Sequence, residues 1–162
     1  MQTADLLNLI ALGEDSQHQF KSNVTRSDSI AQEMVAFSNS NGGYLIIGVN
    51  DDGSISGLNV EDISRINQLV SNASTEHMRP PIAPTTQNFN FPNGMVMLVH
   101  IPEGISKPYM DKNLHVYVKS GADKRKVTAR EELQRIFQQA DLIHADELPV
   151  TNTSIKDIDL VA

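Results

Sequence analysis

The amino-acid sequence predicts an α+β domain in which helices sandwich a mixed sheet. Three observations carry that reading. Segments with apolar residues at helical spacing alternate with short β-branched runs. Several runs are joined by tight turns, Asn50-Asp51-Asp52-Gly53 and Pro92-Asn93-Gly94, which build antiparallel hairpins rather than parallel crossovers. The chain has 162 residues, 40% of them hydrophobic, enough for one core and a short tail.

The elements follow in order. Leu6, Leu9 and Ile10 after a Thr3 cap predict a first helix, which Gly13 stops. Residues 17–22 read as a short extended piece. Ile30, Met34 and Phe37 lie on one helical face behind a Ser27 or Asp28 cap, and Asn41-Gly42-Gly43 ends that helix. Residues 44–49, Tyr-Leu-Ile-Ile-Gly-Val, form a continuous apolar run, the pattern of a central strand buried on both faces. Residues 54–58 are expected to return as its hairpin partner. Asn59 caps a third helix whose buried side is Ile63, Ile66 and Val70. Pro80, Pro81 and Pro84 make the next connection stiff and irregular. Phe89 and Phe91 alternate with polar residues, and a second buried strand follows at 95–99. Residues 107–120 are expected to form another hairpin with Asp111-Lys112-Asn113 at its tip. Thr128 with Glu131 reads as a capping box for a last helix striped by Leu133, Ile136, Phe137 and Ala140. The domain is expected to span 1–140, and 141–162 to be a polar, acidic tail or linker.

Composition removes several functions. With no cysteine there is no disulfide, thiolate zinc site or cysteine nucleophile. No P-loop, no G-x-G-x-x-G and no H-E-x-x-H is present. No apolar run is long enough to span a bilayer and the first residues do not resemble a signal peptide, so a cytoplasmic location and no membrane partner are expected. The net charge of −7 argues at first against nucleic acid. Its distribution argues otherwise. Residues 107–135 carry eight Lys and Arg against four Asp and Glu, so the acidity lies elsewhere.

Three constellations could carry chemistry. In the first, Gln19 and Lys21 share one face of an extended piece by the two-residue period, and Asp51 lies just past the end of the 44–49 strand. If the strand ends converge, Glu14 and Asp51 could hold Mg²⁺ or Mn²⁺ beside that lysine. The plainer alternative is a turn former, a helix-end residue and a solvated lysine. The second is the strand 114–119. Its alternation places His115, Tyr117 and Lys119 on one face, followed by Lys124, Arg125, Lys126 and Arg130. A ring among cations can stack on a base while the cations neutralise phosphates, and a helix N-terminus adds partial positive charge. The alternative is a solvated sheet face. The third is Asn39-Ser40-Asn41-Gly42-Gly43, where two glycines allow close backbone approach, most simply for tight helix-to-strand packing.

The blocks Glu14-x-x-x-x-Gln19-Phe20-Lys21, Ala36 through Gly53 and Ile55-x-Gly57 resemble the Schlafen AlbA-like domain, also described as a divergent AAA-type DNA-binding domain. Lys107-Pro108-Tyr109, Tyr117-Val118-Lys119-x-Gly121 and the Glu131-Glu132-Leu133 helix fit as well. The resemblance implies a fold of two related β-α-β-like halves and a nucleic-acid-binding role, DNA favoured over RNA, in a transcriptional regulator with further domains downstream. It also implies an alternative, a metal-dependent endoribonuclease. The family's three-acid site then falls on Glu14, Gln19 and Asp51, with Lys21 beside it. Glutamine at 19 keeps an acceptor but loses the charge, so Glu14 and Asp51 alone would hold the metal, more weakly. Under the binding reading Tyr117, Lys119, Lys124, Arg125, Lys126 and Arg130 meet the nucleic acid and no cofactor is expected. Mg²⁺ or Mn²⁺ belongs only to the nuclease alternative. A protein-interaction or homodimerisation domain is the remaining class.

Overall fold

The computed structural model describes residues 1–147. The elements are α1 (Thr3–Leu12), β1 (His18–Lys21), α2 (Ser27–Ser38), β2 (Gly43–Ile47), α3 (Val60–Glu76), β3 (Met78–Arg79), β4 (Thr85–Phe91), β5 (Gly94–Ile101), β6 (Met110–Asp111), β7 (Tyr117–Ser120), β8 (Asp123–Lys126) and α4 (Arg130–Glu147). A four-stranded sheet has the order β1-β2-β5-β4. β1 and β2 are parallel, joined across α2, and the other pairs are antiparallel. The fold is α+β, as expected, with one β-α-β unit. The second half of the main sheet is the β4–β5 hairpin rather than another such unit.

The sheet has apolar residues on both faces because β2 and β5 carry unbroken apolar runs. On one face Leu45, Ile47, Met97, Val99 and Ile101 pack with Ile30, Met34 and Phe37 of α2 and Ile63, Ile66 and Val70 of α3. On the other, Phe20, Ile46, Val96, Leu98 and Phe89 pack with Leu6 and Ile10 of α1. α2 meets the sheet, α3, and strands β6, β7 and β8. It is therefore buried over most of its surface, including Glu33 and Ser38.

Several local expectations are corrected. The cap of α1 is Gln2, in a reciprocal box with Asp5, rather than Thr3. α2 starts at Ser27 after Arg26, which makes no side-chain cap bond. Asn59 does cap α3, through Asp62. Residues 54–58 form only isolated bridges, Val49 to Ile55 and Leu58 to Met95, because Leu58 leaves β2 to join β5. The hairpin expected over 107–120 is divided. β6 pairs with β3, while β7 turns at Gly121-Ala122 into β8. Gly121 supplies the positive φ of 61° that this two-residue turn needs. α4 starts at Arg130, one residue beyond a Thr128 cap, and continues through Glu147, so residue 140 lies inside it. The remainder of the expected tail, 148–162, lies outside the described residues. The α4 stripe is only partly covered: Leu133 and Ile136 are half-buried and Phe137 is 47% exposed. No described helix is long and apolar enough to cross a membrane.

Candidate functional site

Gly42 and Gly43 bring the end of α2 against the sheet. A Cβ on Gly42 would lie 2.6 Å from the Glu103 backbone nitrogen, and one on Gly43 would lie 2.5 Å from the Gln17 carbonyl oxygen. These glycines serve packing, the simpler of the two readings. Just before them, Asn39 ties the basic segment to α2. Its Nδ2 donates to the carbonyls of Tyr109 and Tyr117, each at 2.9 Å, and its Oδ1 accepts from the Tyr109 N–H at 2.6 Å. Ser40 Oγ accepts from the Lys119 N–H at 3.0 Å. The β7–β8 hairpin is thereby seated beside the edge strand β1.

Two polar networks fill the space between β1, α2 and this hairpin. In the first, the Gln19 amide nitrogen donates to Glu14 Oε2, and Gln19 Oε1 accepts from Lys119 Nζ at 3.1 Å. Glu14 Oε2 also accepts from the Phe20 N–H at 3.3 Å. Lys119 donates to the Ala122 carbonyl at 2.8 Å, and its ammonium lies 4.8 Å from the centre of the Phe37 ring. Burial pushes the Lys119 ammonium pKa down, against the opposing pull of Glu33 and Glu14. Glutamine suits its place: it donates to a carboxylate and accepts from an ammonium, which an ionised glutamate cannot do.

In the second network, Glu33 is only 2% exposed. Its Oε2 accepts from Lys124 Nζ at 3.1 Å and lies 3.4 Å from Lys21 Nζ. Its Oε1 is buried with no hydrogen-bond partner. The sequence reading missed Glu33, and it singled out the block that starts at Asn39 for its glycines without a role for the Asn39 side chain. Spacing held a signal for Glu33, which stands three residues after Ile30 and four before Phe37, within the buried stripe. The role of Asn39 carried none, because its partners lie 70 and 78 residues away.

The expected nucleic-acid residues divide accordingly. Lys119 and Lys124 point inward. Tyr117 is partly buried against the core rather than presented on an open face, and burial with nearby Asp111 pushes its phenol pKa up. Tyr117 and Lys119 do share a face of β7, but that face is turned toward the core, where Lys119 lies over Phe37 of α2. Arg125 makes a bidentate pair with Glu132 at 2.8 and 2.7 Å. That pair raises the Arg125 pKa and holds the Glu132 carboxyl below its ordinary value. Lys126 and Arg130 are exposed and have no salt-bridge partner among the described residues.

Of the expected metal residues, Glu14 belongs to the first network and Lys21 to the second. Asp51 is exposed on the turn; Asp52, not Asp51, bonds Ser54. Among the described residues no three of His, Asp and Glu gather as a group that could hold a metal ion.

The family model described as "Schlafen, AlbA_2" matches residues 14–128, more than two thirds of the chain. No curated protein matches. Among solved structures, the DIP2311 protein from Corynebacterium diphtheriae superposes with a TM-score of 0.59 at 21% identity, over 82% of this chain and 31% of that one. This chain thus spans about a third of that protein's length. The N-terminal domain of a RecG-related protein from Nitrosomonas europaea, described by relation to an ATP-dependent DNA helicase, superposes with a TM-score of 0.51 at 23% identity. That match covers 80% of this chain and 97% of the domain. At these identities both share the fold.

Proposed function

This chain belongs to the Schlafen AlbA_2 family, and from that premise we propose that it is a nucleic-acid-binding module, with DNA favoured over RNA, of a transcriptional regulator. The observation that carries the proposal is the junction of β8 and α4. There Lys126 and Arg130 are exposed without an ion-pair partner among the described residues, beside the N-terminal turn of α4. Cations and helix N–H groups at one place suit a phosphate. The relation of one structural neighbour to a DNA helicase supports DNA as the polymer.

Energetics sort the other candidates. The Arg125–Glu132 pair is at the surface, where such pairs are worth about 0–1 kcal/mol, so a phosphate can take Arg125 from Glu132. Lys124 is held by a buried carboxylate, and stripping the partners from such a charge costs about 3–5 kcal/mol. Lys124, Lys119 and Tyr117 therefore act as the frame, and Arg125, Lys126 and Arg130 as the contacts. The endoribonuclease alternative has less support, since Glu14 Oε2 is engaged by Gln19 and the Phe20 N–H.

Fluorescence anisotropy with short DNA and RNA duplexes at low and moderate salt tests this. Affinity should fall steeply as salt rises. The double variant Lys126→Glu/Arg130→Glu should lose most binding to any sequence. Undiminished binding by that variant would overturn the assignment.

A further inference from the structure

The four-stranded sheet carries, on the face of α1, a row of side chains that the helix leaves open. The register pairs His18 with Tyr44, Tyr44 with His100, and His100 with Thr85. Residues paired across adjacent strands share a face, so the four form one strip across the whole sheet. The next row, from Phe20 through Ile46 and Leu98, is closed by Leu6 and Ile10 of α1. The first row lies beyond that cover. His18 stacks on Tyr44 with ring centres 5.7 Å apart and planes at 16°, and Tyr44 meets His100 at 5.1 Å. His18 Nδ1 is fixed at 2.7 Å from Asp15 Oδ1.

A cavity of about 510 Å³ opens over Tyr44, His100 and Leu98, with Met1, Thr85, Thr86 and Gln87 at its rim. We propose that this strip is a stacking site for a nucleobase, carried by a free nucleoside or by a single strand. Its volume lies in the range of small-ligand sites, roughly 300–1,000 Å³. No acidic, lysine or arginine side chain lines it, so it suits a neutral planar ring better than a phosphate. The rim carries hydroxyls on Thr85 and Thr86. Gln87 donates its amide nitrogen to the Met1 carbonyl at 2.9 Å, which leaves its own oxygen as an acceptor. Aromatic rings on adjacent sheet strands beneath, with donors and acceptors at the edge, are what base stacking and edge recognition require.

The site does not depend on the junction of β8 and α4, and the test separates the two. Backbone and histidine-ring NMR shifts are followed with the full chain during addition of adenosine, ribose 5-phosphate and an eight-residue deoxyadenosine single strand. Adenosine and the single strand should move His18, Tyr44, Thr85 and His100, and ribose 5-phosphate should not. Tyr44→Phe should bind adenosine like the natural chain. His100→Ala, at an exposed position, and Tyr44→Leu should each weaken it by about fivefold or more. A single strand binding far more tightly than adenosine identifies a strand site, and equal affinities identify a nucleoside site. Lys126→Glu/Arg130→Glu should leave adenosine binding unchanged, so loss of duplex binding alone indicts only the junction. Adenosine shifts that avoid the row, or affinity unaffected by both His100→Ala and Tyr44→Leu, would overturn the proposal.

Discussion

The space under the β7–β8 hairpin and the junction of β8 with α4 use the same residue types in opposite ways. Under the hairpin, Lys21 and Lys124 surround a carboxylate that water does not reach, and Lys119 lies on Phe37 and Gln19. A few residues along the chain, Arg125, Lys126 and Arg130 stand in solvent. The difference teaches that a basic run has no single role. Burial turns a lysine into structure, because a buried counter-charge cannot be abandoned, whereas exposure leaves a cation free to exchange partners.

The comparison breaks most plainly under the hairpin. Removing both ammonium groups, Lys21→Ala/Lys124→Ala, leaves Glu33 buried and unpaired and should cost about 3–5 kcal/mol in urea unfolding. Adding Glu33→Met to that variant should restore most of the loss, since no orphaned charge then remains. If the double variant unfolds like the natural chain, the buried Glu33 carboxylate does not depend on these two ammonium groups.

Asn39→Ala comes next. It leaves two carbonyls and one N–H without their side-chain partner and should cost about 2–3 kcal/mol. The hairpin should loosen first, seen as faster amide exchange in β7. Gln19→Glu should cost less, about 1–2 kcal/mol near neutral pH, because two carboxylates then meet where an amide donated. Each raises the other's folded pKa above its unfolded value. The penalty is therefore present above that folded pKa and shrinks as the pH falls through it, a trend that denaturation at several pH values reads directly.

The junction sharpens the contrast from the other side. Lys126→Glu/Arg130→Glu should change stability by no more than about 0.5 kcal/mol while abolishing duplex binding. The smallest effect belongs to Glu132. Its folded pKa is held down by the Arg125 hydrogen bonds, so the stabilisation they confer is present above the ordinary carboxylate pKa and is lost as pH falls through the folded value. An NMR titration should show Glu132 ionising below 4.5, and Arg125→Ala should return it to its ordinary range.

Much of the fold was legible in the sequence. The run at 44–49, the helix bearing Ile30, Met34 and Phe37, the Asn59 cap and the hairpin around Pro92-Asn93-Gly94 all stand where local pattern places them. Their causes are local: side-chain period, a capping side chain, a turn residue. The motif residues Glu14, Gln19 and Lys21 were also legible, as was the concentration of cations between 107 and 135. Partnership was not. That Gln19 links Glu14 to Lys119 depends on a contact across 100 residues, and that Lys124 answers to Glu33 depends on one across 91. Tyr117 lies against the core because Asn39 and Ser40 seat β7 on the end of α2. The row from His18 to Thr85 exists only once β1, β2, β5 and β4 are set in register. Residue order dictated which elements form and which charges are present. The tertiary structure decided which charges are withdrawn from water, and so which remain available to a partner, because desolvation is a property of packing rather than of residue order.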